Sequence, residues 1–270
     1  RNRNGHKRLD NKLFSLVEKL ITGHKLTVEE YEYLIENRNS EAAGFLASEA
    51  VRVRKEIYGD TVYIRGLIEI SNICKNDCFY CGIRRSNEKC ERYRLREEEI
   101  LSCCEAGYEL GFRTFVLQGG EDGYFNDEIL CKLLRKIKTA FPDCAVTLSL
   151  GERSRESYQK LRDAGADRYL LRHETADRAH YGKLHPLSMS FGNRMRCLYD
   201  LKELGYQVGC GFMAGSPYQT PGEIAKDLKF IEQFSPDMCG IGPFIPQSDT
   251  PFGTEKAGTL ELTCYLLSII

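Results

Sequence analysis

Apolar residues recur at helical spacing near the start of the chain. The segment LFSLVEKLITG predicts a helix that stops at Gly23, and LTVEEYEYLIENRN predicts a second helix capped by Thr27, with Glu30 three residues on. A third helix, SEAAGFLASEAVRVRKEIYG, is predicted to end near Gly59. Together these predict a helical segment over residues 1–57.

The period of the pattern changes after the third helix. Residues 61–71, TVYIRGLIEIS, are rich in β-branched side chains and predict a strand. Further strands are predicted at TFVLQGG, AVTLSLGE, RYLLRHET, YQVGCGFMAGSP and DMCGIGPF, with helices at REEEILSCCEAGYELGF, DEILCKLLRKIKTAF, SRESYQKLRDAG, SFGNRMRCLYDLKELG, TPGEIAKDLKFIEQF and LTCYLLSII. This alternation predicts an α/β fold with six β/α units and a parallel sheet.

The two faces of the predicted strands differ in polarity. In RYLLRHET, Arg168, Leu170, Arg172 and Glu174 share one face, whereas the residues between them share the other. A doubly wound sheet is covered on both faces and reads as continuous apolar runs. One polar face therefore favours a TIM-type (β/α) barrel over residues 58–270, with an open lumen for a polar ligand. Because only six units are present, we expect a barrel that is partial or truncated at its carboxyl end.

Composition and charge narrow the class of protein. The net charge is −1, so neither a nucleic-acid face nor a polybasic membrane patch is expected. No apolar run reaches the roughly 18 residues that span a bilayer, and the first residues show no apolar signal segment. The twelve cysteines fall mostly inside predicted helices and strands. They predict buried thiols in a reducing cytoplasm rather than a disulfide framework.

Three cysteines directly follow the first predicted strand. ICKNDCFYCGIRR places Cys74, Cys78 and Cys81 at C-x3-C-x2-C spacing. Three thiolates can hold three irons of a cubane 4Fe-4S cluster and leave the fourth iron open to another ligand. A zinc site would need four ligands, and only Cys78 and Cys81 form a C-x2-C pair. A closed cluster with Cys90, or three unrelated buried cysteines, also stays open from the residues alone.

Polar and small residues stand at the ends of the next strands. Gly119 and Gly120 in LQGGED predict either a tight turn or a close backbone approach to a ligand. Thr147 and Ser149 place hydroxyls toward the lumen, unless they only form a layer of small residues. Glu174 places a carboxylate at the mouth of the barrel, unless it is half of a structural ion pair.

The arginines predict an anionic ligand. Arg168 and Arg172 face inward, where charge is unfavourable unless it is paired or bound to a ligand. Arg194, on the following helix, can bind a carboxylate with its planar guanidinium, although a surface arginine is the default interpretation.

The histidines predict no metal site. His173 lies on the outer face of its strand and is predicted to be a packed core residue. His180 and His185 are predicted to lie in a loop, without the spacing of metal ligands.

The cysteine loop, with aromatic Tyr80 before the last cysteine, resembles that of the radical S-adenosylmethionine (SAM) superfamily. The resemblance implies that the amino and carboxylate groups of SAM chelate the open iron. It also implies that one electron from the cluster cleaves SAM to a 5′-deoxyadenosyl radical. Seven motifs narrow the resemblance to the HydE-type family of FeFe-hydrogenase maturases, from about Tyr58 to the last residue: IEISNICKNDCFYCGIRR, RYR, LQGGED, TLSLGE, AGADRYLLRHET, LKELGY and GIGPFIPQSDTP.

The resemblance assigns roles to residues that match the motifs. Cys74, Cys78 and Cys81 match the cluster ligands. The positions beside the cofactor are Tyr80, Gly119, Gly120, Ser149, Glu174 and Arg194, and those near the substrate are Thr147, Arg172 and Met238. Gly119 stands where the family commonly has Ser, so this chain departs from the family pattern at one position that contacts SAM.

The family resemblance implies a function as well. It implies assembly of the di-iron subcluster of FeFe hydrogenase from a small organometallic or amino-acid-derived substrate, in the cytoplasm. Implied partners are the other hydrogenase maturases and an electron donor such as a ferredoxin or flavodoxin, without nucleic acid or membrane. Two alternatives are a related enzyme of the biotin synthase and methylornithine synthase group with a different substrate, and an inactive truncated iron–sulfur paralogue.

Overall fold

The predicted amino-terminal helices are present. The computed structural model describes residues 3–270, with side chains from residue 11 onward, so residues 1 and 2 of the predicted helical segment lie outside the described residues. The helices are α1 (Arg3–Gly23), α2 (Val28–Glu36) and α3 (Ser40–Tyr58). Thr27 and Glu30 form the predicted capping box of α2, in which each side chain accepts a backbone N–H.

Beyond these helices, strands and helices alternate as predicted. The elements are β1 (Gly66–Ser71), α4 (Glu97–Glu109), β2 (Thr114–Gly119), α5 (Asp127–Ala140), β3 (Ala145–Ser149), α6 (Arg155–Asp163), β4 (Arg168–Leu170), α7 (Arg178–Leu184), α8 (Phe191–Glu203), β5 (Gln207–Ala214), α9 (Pro221–Phe234), β6 (Met238–Pro243) and α10 (Leu260–Leu267). The strands form one parallel sheet in the order β1-β2-β3-β4-β5-β6. Within residues 3–270 the sheet is open between β1 and β6, which confirms a partial barrel.

The amino-terminal helices pack on the outside of this sheet through α2 and α9. Glu232 on α9 accepts hydrogen bonds from the backbone N–H of Leu26 at 3.3 Å and from the hydroxyl of Tyr31 at 3.0 Å. Tyr31 and Leu34 are buried in the same core as the outward face of the sheet. The helical segment therefore extends the hydrophobic core instead of forming a separate one.

The two faces of the sheet differ as the sequence predicts. Outward side chains such as Phe115, Leu148 and Tyr169 are fully buried among the helices. The lumen face is more mixed: Thr147 pairs with the apolar Val116 in register, and Gly211 pairs with Gly240. His173 is completely buried on the outer side, as predicted.

Three predicted elements differ from the structure. The first strand begins at Gly66, not at residue 61, and residues such as Val62 and Ile64 are exposed because β1 is an edge strand with no partner there. The fourth strand ends at Leu170 instead of Glu174. Helix α7 replaces the predicted loop.

The histidines predicted to lie in that loop therefore belong to a helix. His180 is within α7 and His185 is its carboxyl-terminal cap. Asp177 caps the amino end of α7 by accepting the N–H of His180 at 2.8 Å. With seven residues, the helix is too short to show a periodic pattern in the sequence.

Among the residues that the structure describes, no helix is both long and apolar enough to span a bilayer.

Candidate active site

The cysteine loop begins at the carboxyl end of β1, where a buried carboxylate fixes it. Ser71 donates a hydrogen bond from Oγ to Asp122 Oδ2 at 2.7 Å and accepts one from the N–H of Ile73 at 3.1 Å. Arg94 donates to both oxygens of Asp122, at 2.6 and 2.9 Å. The Asp122 side chain is 1% exposed. This bidentate pair holds the first residues of the loop against the loop that follows β2.

We expect Asp122→Asn to destabilise the fold by about 1–3 kcal/mol, because it places an amide donor against Arg94 in a buried site. Burial alone would raise the pKa of Asp122, but hydrogen bonds from Arg94 and Ser71 outweigh it and hold that pKa below its usual value of 3.8. The ionised Asp122 carboxylate therefore stabilises the fold above its unfolded-state pKa, and this stabilisation is lost as the pH falls through the lower folded-state pKa.

Urea unfolding at neutral pH and below about pH 4 tests this pH dependence. The difference in free energy of unfolding between wild type and Asp122→Asn should become smaller in acid. Asp143→Asn is the control, because its ion pair with Arg113 is half exposed and is expected to contribute only about 0–1 kcal/mol. An equal loss in both variants would contradict the prediction.

The other end of the loop is held by Arg92, which the sequence analysis quoted only as part of RYR. Its guanidinium donates to four backbone carbonyls, at 2.6 to 3.1 Å: those of Asn72, Ile83, Arg84 and Asn87. Inside the loop, Arg84 donates to Asp77 at 2.8 Å, and this hydrogen bond is the main reason that the pKa of Asp77 lies below its usual value. Protein hydrogen bonds therefore fix the loop both at this end and within it.

The two glycines after β2 make room for this loop. A Cβ on Gly120 would lie 2.3 Å from the carbonyl oxygen of Ile73 and 2.7 Å from Cys74 Cβ. A Cβ on Gly119 would lie 2.9 Å from the carbonyl oxygen of Ser71. The serine that is common at this position in the family would therefore require the backbone of Ser71 or Gly119 to move. The close approach predicted at these glycines is thus to the cysteine loop, and their contact with SAM stays a prediction.

The chemistry of the three thiols fits an iron cluster. Cys74, Cys78 and Cys81 are half-buried and free, and the backbone N–H of Glu121 donates to Cys74 Sγ at 3.4 Å. Burial raises the pKa of the Cys78 thiol to about 12 and that of Cys81 as well. A thiolate in these positions needs a cation beside it, and iron supplies one.

A single metal ion fits this arrangement less well. In the described part of the chain, no group of three or more His, Cys, Asp or Glu side chains lies close enough together to hold one ion. A cubane cluster instead gives each thiolate its own iron. Cys90 is the cysteine that a closed four-cysteine cluster would require. In the structure its thiol contacts Asn72 Nδ2 at 3.6 Å and the carbonyl of Glu91 at 3.8 Å.

Tyr80 is fixed by a histidine that the sequence analysis did not place in the site. His185 Nδ1 lies 3.0 Å from the carbonyl oxygen of Tyr181, so Nδ1 carries the proton and Nε2 accepts a hydrogen bond from the Tyr80 hydroxyl at 3.1 Å. Burial lowers the pKa of His185 to about 4, which keeps the ring neutral at pH 7. The Tyr80 ring packs against an apolar cluster that includes Met213 and Phe244. Tyr80 therefore presents a fixed aromatic ring beside the cysteine loop.

Buried polar atoms without protein partners lie along the lumen. Glu174 has a backbone φ of +64° and is 7% exposed. Its Oε2 lies 3.4 Å from Arg172 Nη2, outside hydrogen-bond geometry. Thr147 Oγ1 and Arg172 Nε also lack hydrogen-bond partners within the described residues. Leaving such atoms unpaired is unfavourable, and a polar ligand would satisfy them.

Arg194 is not a surface arginine. It is 7% exposed, and it donates from Nε to Glu152 Oε1 at 2.6 Å and from Nη1 to the carbonyl of Arg172 at 2.7 Å. The N–H of Glu152 in turn donates to Glu121 Oε1 at 2.9 Å. Two of the guanidinium donors are thus used inside the protein, and Glu152 is a member of the site that sequence reasoning missed. Its position at the end of TLSLGE, three residues beyond β3, was the available signal.

Arg168 lies away from the mouth. Its Nε donates to Gln207 at 2.6 Å and its Nη1 to Thr114 at 3.2 Å, and both partners are the first residues of their strands. The expectation that Arg168 helps to bind an anion in the lumen is therefore wrong, because its guanidinium lies at the amino end of the sheet and donates to two neutral side chains there. Met238, the first residue of β6, lies at that end too, 3.3 Å from Arg65 Nη1.

The cysteine loop, the glycine turn, Ser149, Arg172 and Glu174 lie at or beyond the carboxyl ends of parallel strands. This placement defines the class of TIM-barrel-like enzymes, whose chemistry is carried by the loops at that face. The chain belongs to the radical SAM superfamily, whose family model matches residues 68–231. This superfamily binds a 4Fe-4S cluster and SAM.

Known proteins narrow the similarity further. The FeFe hydrogenase maturase subunit HydE of Thermotoga maritima is 47% identical, over 82% of this chain and 62% of that protein. The 3-methylornithine synthase of Methanosarcina acetivorans is 31% identical, over 87% of this chain and 66% of that protein. The crystal structure of methylornithine synthase (PylB) superposes with a TM-score of 0.84 at 28% identity, over 94% of this chain and 75% of that one. The chain thus spans 62–66% of the length of these two curated relatives.

Proposed function

We propose that this chain forms part of a HydE-type maturase that acts in assembly of the FeFe-hydrogenase di-iron subcluster. The observation that carries the proposal is the 47% identity to HydE over most of the chain, which exceeds the 31% identity to 3-methylornithine synthase. Among the motifs that resemble the family, LQGGED contacts the cysteine loop directly, because the N–H of Glu121 donates to Cys74 Sγ at 3.4 Å.

The candidate residues have proposed roles in this reaction. When bound, the cluster supplies one electron that cleaves SAM to a 5′-deoxyadenosyl radical. The proposed ligands are Cys74, Cys78 and Cys81, the proposed SAM contacts are Tyr80, Gly119, Gly120, Ser149, Glu174 and Arg194, and the proposed substrate contacts are Thr147 and Arg172. Met238 is not proposed as a substrate contact, because it lies beside Arg65 at the amino end of the sheet. Glu152 holds the Arg194 guanidinium and leaves Nη2 free of hydrogen bonds within the described residues.

The lumen supports a small polar substrate. Arg172 and Thr147 supply donors without protein partners, and a Cβ on Gly242 of β6 would meet no atom within 4 Å. These features suit an organometallic or amino-acid-derived molecule that carries a carboxylate. The proposed partners are the other hydrogenase maturases and a ferredoxin or flavodoxin as electron donor, in the cytoplasm.

Anaerobic reconstitution with iron and sulfide, followed by SAM and a strong reductant, tests the chemistry. We expect about one cubane cluster per chain and release of 5′-deoxyadenosine. Formation of the cluster without SAM cleavage would support the inactive paralogue instead.

Complementation tests the particular function. The gene that encodes this chain, expressed anaerobically with the hydrogenase and the other maturases in a host that lacks its own HydE-type maturase, should restore hydrogen uptake. SAM cleavage without restored uptake would overturn the maturase assignment and favour a different substrate within the biotin synthase and methylornithine synthase group.

A further inference from the structure

The backbone of Glu174 is held in a conformation that glutamate rarely adopts. Its φ of +64° lies in the left-handed region, where a side chain with a Cβ is disfavoured. Such strain persists only where surrounding contacts fix the segment. The N–H of Glu174 donates to the carbonyl of Gly211 at 3.1 Å, and Glu174 forms an isolated parallel β-bridge with Phe212, but the residues on either side are fixed by other groups.

One carboxylate on a neighbouring helix contacts both sides of Glu174. Asp227 Oδ1 accepts the N–H of Ala176, two residues after Glu174, at 2.5 Å. The same oxygen lies 3.4 Å from Nε2 of His173, the residue before Glu174, close enough for an electrostatic contact but outside hydrogen-bond geometry. Asp227 and His173 are both 0% exposed. Helix α9 therefore reaches the strained segment through one fully buried side chain.

The orientation of the His173 ring follows from its second partner. His173 Nδ1 accepts the backbone N–H of Gly211 at 3.2 Å, so in the neutral ring the proton is on Nε2, which faces Asp227. Gly211 also accepts the N–H of Glu174. The backbone of Gly211 and the carboxylate of Asp227 thus hold the segment 173–176 from two sides.

Packing alone does not call for an acid at this position of α9. The other buried residues of the helix are apolar: Ile224, Ala225, Leu228, Ile231 and Phe234. Burying a carboxylate among them is unfavourable, and Asp227 Oδ2 has no hydrogen-bond partner within the described residues. The contacts that Asp227 does make converge on the residues around Glu174.

We propose that Asp227 is a positioning residue that keeps Glu174 in its left-handed conformation and so places the Glu174 carboxylate for SAM. The inference rests on the proposed function, because it takes Glu174 as a SAM contact. Asp227 itself touches neither SAM nor the cysteines in this scheme and acts only through residues 173–176.

A double-mutant cycle tests the coupling. Asp227→Asn, Glu174→Ala and the double variant are loaded with the cluster anaerobically. SAM affinity is then measured from the change that SAM produces in the electron paramagnetic resonance spectrum of the reduced cluster. We expect Asp227→Asn to weaken SAM binding about tenfold in the wild type, the size of one misplaced charged hydrogen bond, but by less than about twofold in the Glu174→Ala background. Iron per chain should be unchanged in all variants.

A matched control separates positioning from loss of stability. Glu232→Gln, also on α9, weakens the contacts with Leu26 and Tyr31 and should lower the melting temperature without changing SAM affinity. If Asp227→Asn does not accumulate as folded protein, His173→Asn replaces it, since its amide oxygen can still accept the N–H of Gly211 while the contact with Asp227 is lost.

The outcomes distinguish failure of the positioning role of Asp227 from failure of the proposed function. If Glu174→Ala weakens SAM binding and Asp227→Asn does not, or if the two effects simply add, the positioning role of Asp227 is overturned alone. Unchanged SAM affinity in Glu174→Ala overturns the assignment of Glu174 together with the inference. A wild-type protein that does not bind SAM overturns the proposed function.

Discussion

Cys78→Ser is expected to abolish cluster binding. Cys78 is half-buried and lies 3.5 Å from Met189 Sδ, and serine offers an alcohol oxygen in place of a soft thiolate. Losing a residue that only orients a ligand costs about 10- to 100-fold in metal affinity, and losing the ligand itself should exceed that. Iron and sulfide per chain after anaerobic reconstitution should fall to background, and 5′-deoxyadenosine formation with them.

Two other cysteines serve as controls for that experiment. Cys103→Ser changes an exposed thiol on α4 and should retain the full cluster. Cys90→Ser tests the closed four-cysteine alternative, because Cys90 is the thiol that sequence spacing offers as a fourth ligand. Loss of the cluster in Cys90→Ser would show that no iron is left open, and the proposed binding of SAM would fail.

Gly120→Ala is expected to remove the cluster by a different route. The new Cβ would lie 2.3 Å from the carbonyl oxygen of Ile73, and backbone atoms cannot move aside as the end of a flexible side chain can. Overpacking of this kind costs about 1–3 kcal/mol, which the loop can relieve only by moving away from β2. Because Cys74 is carried by the displaced segment, we expect iron content to fall several-fold while the protein stays folded.

Gly123→Ala is the matched control in the same turn. Its Cβ would meet no atom within 4 Å, so cluster content and melting temperature should match the wild type. Circular dichroism and iron analysis of the two variants side by side check the prediction. A Gly120→Ala protein with wild-type iron content would show that the loop is not held against the glycine turn.

The barrel could be predicted because local sequence carries its signal. The alternation of side chains along AVTLSLGE and RYLLRHET predicts which of them face the lumen and which face the core. The burial of Leu148 and Tyr169 agrees with that prediction. The cysteine loop was equally readable, since three ligands within eight residues need no tertiary information.

The support of the site could not be predicted, because it depends on contacts between distant segments. Glu152 and Arg194 are separated by 42 positions, and Asp227 reaches Ala176 across 51. In the sequence, Glu152, Arg194 and Asp227 each look like an ordinary charged residue on a helix or loop. The predicted role of Arg168 in binding an anion was wrong for the same reason, since its partners Gln207 and Thr114 belong to other strands.

The four-carbonyl contact of Arg92, the Asp122 pair and the fit at Gly120 have a consequence for how the metal is loaded. In small zinc domains the ligand loop is disordered before binding, and much of the binding free energy is consumed in folding it. Here protein hydrogen bonds fix both ends of the loop, so we expect little chain entropy to be lost when iron binds. The free energy of cluster binding should then go into the iron–thiolate bonds and not into folding of the chain.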